Sequence, residues 1–191
     1  METTSEQKVL KDSDIREPLF DHLESQYTKI RILEEKTIGR ARADLMYILP
    51  DKICGIEIKS DADSYTRLAG QVRFYDRYFD ENFIVVGSTH AKHAAEYIPA
   101  HWGIISVELI NGKVDFYQLR KAKPNPKAKL KNKLSFLWKK ELAHIQAKNK
   151  LPKYTNKSKS FIAQKLIEKV PEKLLHEQIS EELFERDYTV F

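Results

Sequence analysis

Apolar positions along the chain recur at spacings that divide it into elements. Leu19, Phe20, Leu23 and Tyr27 fall at helical intervals. Asp14 as N-cap, Glu17 as its capping-box partner and Pro18 in the first turn predict a helix running to about Gln26. Residues 29–35 alternate and read as a strand. Ala41 to Leu49 and Lys52 to Ser60 read as two more, turned at Pro50-Asp51. A helix is expected from about Thr66 to Phe79, with Leu68, Val72 and Tyr75 or Phe79 on one side. Phe83 to Gly87 is a continuous apolar run suited to a buried central strand. Ala91 to Tyr97 reads as a short helix stopped before Pro99. Gly103 to Leu109 and Val114 to Leu119 form a hairpin across Asn111-Gly112. That order predicts an α/β fold, a mixed β-sheet flanked by helices.

Beyond Arg120 the composition changes. Lys123-Pro124-Asn125-Pro126 does not suit regular structure, so a boundary is expected there, with residues 1–120 as a sheet domain and 121–191 as a Lys-rich helical region. Within that region, Leu134 to Ile145, Ser160 to Val170 and Glu172 to Arg186 read as amphipathic helices. They are too small and polar for a core of their own, so they should dock on the sheet domain or order on a partner. The net charge of +5 is unevenly placed. Residues 1–120 and 171–191 each carry net −4, whereas residues 121–170 hold 15 lysines, no arginine and 2 acidic residues. Such a field favours phosphate backbones, and Lys131, Lys133, Lys139 and Lys140 are candidate contacts to nucleic acid. A solvated linker would carry the same charges.

Several classes are excluded. Cys54 is the only cysteine, which rules out an intrachain disulfide and a Cys-based zinc site. No Gly-rich phosphate loop with G-x-G-x-x-G or Walker spacing occurs, and no serine sits in a G-x-S-x-G elbow. No apolar run approaches the roughly 20 residues of a membrane span. The polar, mixed-charge stretch Met1 to Lys11 reads as neither signal nor transit peptide, so a cytoplasmic protein is expected.

The chemistry concentrates in the middle of the sheet. Folding 41–49 against 52–60 about Pro50-Asp51 sets Leu49 opposite Lys52 and Asp44 opposite Glu57. Lys59 shares their face, and Ile56 and Ile58 point to the other. Two carboxylates with a backbone carbonyl, that of Ile58, suit a hard divalent ion such as Mg²⁺. Lys59 would orient an attacking water or neutralise a developing oxyanion. Gln71 and Tyr75, four apart on the next helix, would aim back at this patch and hold a phosphate or the water. Arg40 and Arg42 enter the strand beside Asp44 and suit a phosphate equally with surface solvation. Asp61 and Asp63 read as loop or capping residues, and His90 with His93 as an exposed helix start.

Asp44, the Glu57-Ile58-Lys59 triplet and the Gln71-x-x-x-Tyr75 pair resemble the PD-(D/E)xK nuclease superfamily, most of all its branch with a helical Q-x-x-x-Y motif. Over roughly residues 14–90 the chain also resembles the small bacterial and phage MmcB-like endonucleases. Ala43 stands where the motif has a proline. The resemblance implies a restriction-endonuclease-like fold in which Asp44 and Glu57 bind Mg²⁺ or Mn²⁺ and Lys59 assists the attacking water. It also implies an acidic residue on the first helix, for which Glu17 is the candidate and Glu24 the second. The primary expectation is therefore a metal-dependent hydrolase of DNA phosphodiester bonds, sometimes dimeric. The alternatives are a non-catalytic nucleic-acid-binding module on the same fold, or a protein-interaction subunit whose basic region meets an acidic partner.

Overall fold

The computed structural model describes residues 9–187 and shows a mixed α/β fold, one six-stranded sheet with helices on both faces. The elements are α1 (Asp12–Gln26), β1 (Arg31–Ile38), β2 (Ala41–Ile48), β3 (Ile53–Lys59), α2 (Leu68–Tyr78), β4 (Glu81–Gly87), α3 (Ser88–Ala91), α4 (Ala94–Tyr97), β5 (Gly103–Ile110), β6 (Lys113–Arg120), α5 (Leu130–Leu134), α6 (Lys139–Lys148), α7 (Lys159–Lys169) and α8 (Glu172–Glu185). The strands lie side by side in chain order. β3, β4 and β5 run parallel to one another, and the flanking pairs are antiparallel. Parallel neighbours need crossovers, which α2 supplies first and α3 with α4 second. Asn111 and Gly112 both take positive φ, 50° and 77°, as a two-residue hairpin turn requires.

Each face of the sheet carries its own core. Ile15, Leu19 and Leu23 of α1 pack over Leu45, Tyr47, Ile56, Ile58 and Val85. On the other face, Val72, Tyr75 and Phe79 cover Met46, Ile48, Ile84 and Val86. Gly55 makes room for the Phe79 ring, since a Cβ there would collide with it. That second core continues without interruption into Leu134, Leu142, Ile145, Ile162, Leu166, Ile179 and Leu183. The Lys-rich region thus turns its apolar residues inward and docks on the α2 face. Its entry is stitched down by Asn125, whose side-chain amide donates to the carbonyls of Asp76 (2.9 Å) and Phe79 (2.7 Å).

Three elements depart from expectation. The first helix begins at Asp12, because the Asp14 carboxylate accepts from the backbone N–H of Lys11 at 2.9 Å and so caps from the third helical position. Glu17 is left exposed, and Pro18 lies well inside the helix. The stretch Ala91 to Tyr97 divides into the two single-turn helices α3 and α4. Leu134 to Ile145 is broken between α5 and α6, where Phe136 and Leu137 both turn into the core. The break is fixed by Glu141, which accepts from the backbone N–H of Trp138 at 2.6 Å and restarts the helix.

Candidate metal and phosphate site

The β2–β3 hairpin has the expected register: Leu45 pairs with Ile56, Met46 with Gly55 and Tyr47 with Cys54. Ladder pairing ends at Leu45. One residue further, Asp44 Oδ2 accepts from the backbone N–H of Ile58 at 2.8 Å. The backbone N–H of Asp44 donates to the Tyr75 hydroxyl (3.1 Å), which itself donates to the Ile56 carbonyl (2.9 Å). On the opposite side of β2, Glu35 at φ 52° interrupts pairing between Glu34–Leu45 and Lys36–Ala43. Asp44 therefore sits where both ladders open, and a phenol from α2 takes the place of a strand partner.

Glu57 lies beside it and is fully buried. Its Oε1 accepts from Lys59 Nζ at 2.6 Å and from the Gln71 amide. Glu57 Oε2 and Gln71 Oε1 are buried without a hydrogen-bond partner among the described residues. Burial, and then the charge of Glu57, push the Asp44 carboxyl up to about 7. Glu57 is also raised by burial, against the opposing pull of Lys59. Two crowded carboxylates with an orphaned oxygen are costly unless a cation joins them.

The residues fit such a cation. Among the described residues no three His, Cys, Asp or Glu side chains cluster as a metal site; the candidate donors are the two carboxylates and the unpartnered Gln71 amide oxygen. Few protein ligands, all oxygen, match an ion such as Mg²⁺ that retains water and takes phosphate oxygens. These groups lie in a cleft of about 440 Å³. The carboxylates form its floor, and the exposed Arg40, Arg42 and Arg67 stand at its rim. From α1, Arg16 reaches in, pairing with Asp12 (2.6 Å) and Glu35 (2.9 Å) and lying 3.4 Å from the Asp44 carbonyl.

The cleft gathers Asp44, Glu57, Ile58, Lys59, Gln71, Arg40 and Arg42, as the sequence places them. Three other expectations are corrected. Glu17 is exposed and does not line the cleft; Asp12 is the acidic residue that α1 contributes. Tyr75 is buried behind the carboxylates, where it holds two strands rather than a ligand. Lys133 is buried, its ammonium bound to Asp80 and 3.2 Å from His176 Nδ1, which occupies it away from any phosphate. Lys131 is exposed on α5, and Lys139 and Lys140 are exposed at the start of α6, outside this cleft.

Sequence reasoning missed Asp12, Arg16 and Arg67. The Asp12-x-x-x-Arg16 spacing was a readable helical ion pair, but nothing in it indicates that the pair reaches over the sheet edge. Asp63 accepts from the Ser60 N–H (2.9 Å) and hydroxyl (2.7 Å), and Asp61 from the Thr89 N–H (3.2 Å), both loop roles.

No curated protein and no solved structure matches the chain. The family model described as bacteriophage P4 protein cII matches residues 5–189, nearly the whole length. The chain belongs to the bacteriophage P4 cII protein family.

Proposed function

We propose that the protein is a metal-dependent nuclease that hydrolyses DNA phosphodiester bonds. The observation that carries this reading is the pair of buried, unpartnered oxygens, Glu57 Oε2 and Gln71 Oε1, beside Asp44 on the floor of an arginine-rimmed cleft. The resemblance of Asp44, Glu57-Ile58-Lys59 and Gln71-x-x-x-Tyr75 to PD-(D/E)xK nucleases supports it independently. Asp44, Glu57 and the Gln71 amide oxygen would hold Mg²⁺ or Mn²⁺, with the Ile58 carbonyl a further candidate. Such an ion supplies positive charge against a phosphoryl oxygen and acidifies a water.

The chain's own groups do the rest. Lys59 Nζ donates to Glu57 Oε1 from the wall of the cleft, where it would orient the attacking water or meet the developing oxyanion. Gln71 orients Glu57 through its amide. Arg40, Arg42 and Arg67 grip flanking phosphates, in bidentate geometry where the backbone allows. Tyr75 fixes Asp44 and the Ile56 strand, setting where the carboxylates stand.

The test is cleavage of labelled single-stranded, duplex and branched DNA in Mg²⁺ or Mn²⁺ against EDTA, with Lys59→Ala and Glu57→Ala beside the wild type. Metal-dependent cutting lost in both variants is the expected result. Salt-sensitive binding without cutting, equal in all three proteins, would replace the nuclease with a binding module.

A further inference from the structure

α6 carries lysines toward two different surroundings. Toward α8, Lys148 Nζ pairs with Glu181 (2.8 Å) and Glu182 (3.5 Å), and His144 Nδ1 lies 3.2 Å from Glu182. α8 presents this acid edge from an amphipathic helix whose Leu175, Ile179 and Leu183 are buried in the core. The chain itself thus shows which chemistry α6 accepts on one side: an apolar stripe flanked by glutamates.

A second side of α6 has the same pattern, and among the described residues no element packs on it. A groove of about 610 Å³ runs between α6, residues 151–155 and α7. Ala143 and Ala147, one turn apart and both exposed, form its wall, and Leu151, Tyr154 and Ile162 its floor. Lys139, Lys140, Lys150 and Lys153 surround it, and among the described residues no carboxylate lines it. Lys150 and Lys153 make no ion pair among the described residues. Two alanines in place of larger side chains allow another helix axis to approach closely.

We propose that this groove is the docking site for an acidic amphipathic helix of a partner protein, seated by apolar anchors at i, i+4 and i+7 and flanked by glutamates or aspartates. The lining favours a protein over a nucleic acid. Strand-binding grooves stack successive bases on several aromatic faces, and among the described residues this one offers Tyr154 alone, set edge-on to Phe161. Its floor is otherwise aliphatic, as a helix-in-groove contact needs. The lysine ring supplies charge complementarity to carboxylates at no cost in buried polar groups.

The test uses the full chain and fluorescence anisotropy with a labelled synthetic helix of about five turns, leucine at the anchor positions and glutamate elsewhere. The controls are a scrambled peptide of identical composition, the same helix with lysine for glutamate, and a labelled oligothymidylate. The expected result is salt-sensitive binding of the leucine–glutamate helix alone. It weakens by about tenfold or more in Ala147→Arg, which fills the groove, and in the exposed double variant Lys150→Glu/Lys153→Glu. The second variant keeps the test intact should the first disturb folding, and circular dichroism reports on both.

Four results would overturn the proposal: no binding of the helix; equal binding of the scrambled peptide; oligothymidylate binding lost in these same variants; or a concentration-dependent dimer of the chain abolished by Ala147→Arg. The third would assign the groove to nucleic acid and the fourth to a second copy. DNA cleavage by the carboxylate cleft should be the same in all these proteins.

Discussion

Glu57 and Glu141 are both buried carboxylates on the α2 side of the sheet, and the fold treats them in opposite ways. Glu141 is saturated. Arg186 Nε and Nη2 reach its two oxygens at 2.6 Å each, the Trp138 N–H adds a third bond at 2.6 Å, and the guanidinium stacks 4.2 Å from the Trp138 ring centroid. Glu57 has one oxygen crowded by Lys59 and Gln71 and the other bare, with the Asp44 carboxylate alongside. The first arrangement is complete as it stands and locks α8 to α6. The second leaves one carboxylate oxygen without a hydrogen-bond partner among the described residues, and the proposed metal role rests on that oxygen. Burial alone therefore does not separate these two carboxylates; the unfilled hydrogen-bonding shell of Glu57 does.

Breaking the saturated cluster should have the largest effect. Arg186→Ala strands Glu141 without its counter-ion and removes the tie to the Phe136 carbonyl. A loss of about 3–5 kcal/mol in urea unfolding is expected, and an unchanged midpoint would show that water replaces the guanidinium freely.

The Glu57 cluster should respond in the other direction. Asp44→Asn relieves carboxylate repulsion and should stabilise the metal-free protein by about 1–3 kcal/mol, seen as a higher melting temperature in EDTA at pH 8. Mg²⁺ should raise the melting temperature of the wild type and leave the variant unmoved. The pH dependence follows with its sign. With a folded-state value of about 7 against an ordinary 3.8, the folded protein holds a proton that the unfolded chain releases between pH 4 and 7. Stability from this group is thus full below pH 4 and is lost as pH rises toward 7. Melting curves of wild type and Asp44→Asn, in EDTA, should diverge across that window. Parallel curves would mean that neither burial nor the neighbouring Glu57 charge makes the folded protein hold a proton at Asp44.

Tyr75→Phe tests how the Glu57 cluster is held. It leaves the Asp44 N–H and the Ile56 carbonyl without partners, for an expected loss of about 1–2 kcal/mol. It should also weaken the Mg²⁺-induced rise in melting temperature. A destabilised variant with an unaltered Mg²⁺ response would confine Tyr75 to a purely structural role.

How much of this the chain discloses differs between the two clusters. The Asp44–Glu57–Lys59 face follows from two-residue alternation and one turn, both local, so counting residues about Pro50-Asp51 suffices. The Gln71 contact is helix periodicity added to that register. Arg186–Glu141 joins residues 45 apart, and nothing local announces it. Lys133 shows the same limit, because in a run of lysines one buried ammonium looks like any other until Asp80 is placed beside it. Tyr75 was legible as a neighbour of the site but not in its role, since the opening of the ladder at Asp44 depends on the Glu35 irregularity in a different strand.

At the rim, effects on stability should vanish while effects on binding persist. Arg40 is exposed, so Arg40→Gln should leave the melting temperature unchanged. It should lower the slope of log affinity for DNA against log salt by about one unit. An unchanged slope would remove Arg40 from the phosphate path.

The smallest expected effect separates Glu17 from Asp12. Glu17 is exposed on α1 and lies outside the cleft, so Glu17→Ala should shift stability by no more than about 0.5 kcal/mol and leave the Mg²⁺ response intact. Asp12 holds Arg16 at 2.6 Å, and Arg16 in turn contacts Glu35 and the Asp44 backbone. Asp12→Ala removes one of the carboxylates that hold the guanidinium and lets it close further on Asp44 Oδ1, now 3.9 Å away, where it would compete with a cation for the same carboxylate. Mg²⁺ titrations monitored by melting temperature should therefore shift to higher concentration in Asp12→Ala and not in Glu17→Ala. The reverse order would return the first-helix role to Glu17 and require α1 to rotate when the cleft is filled.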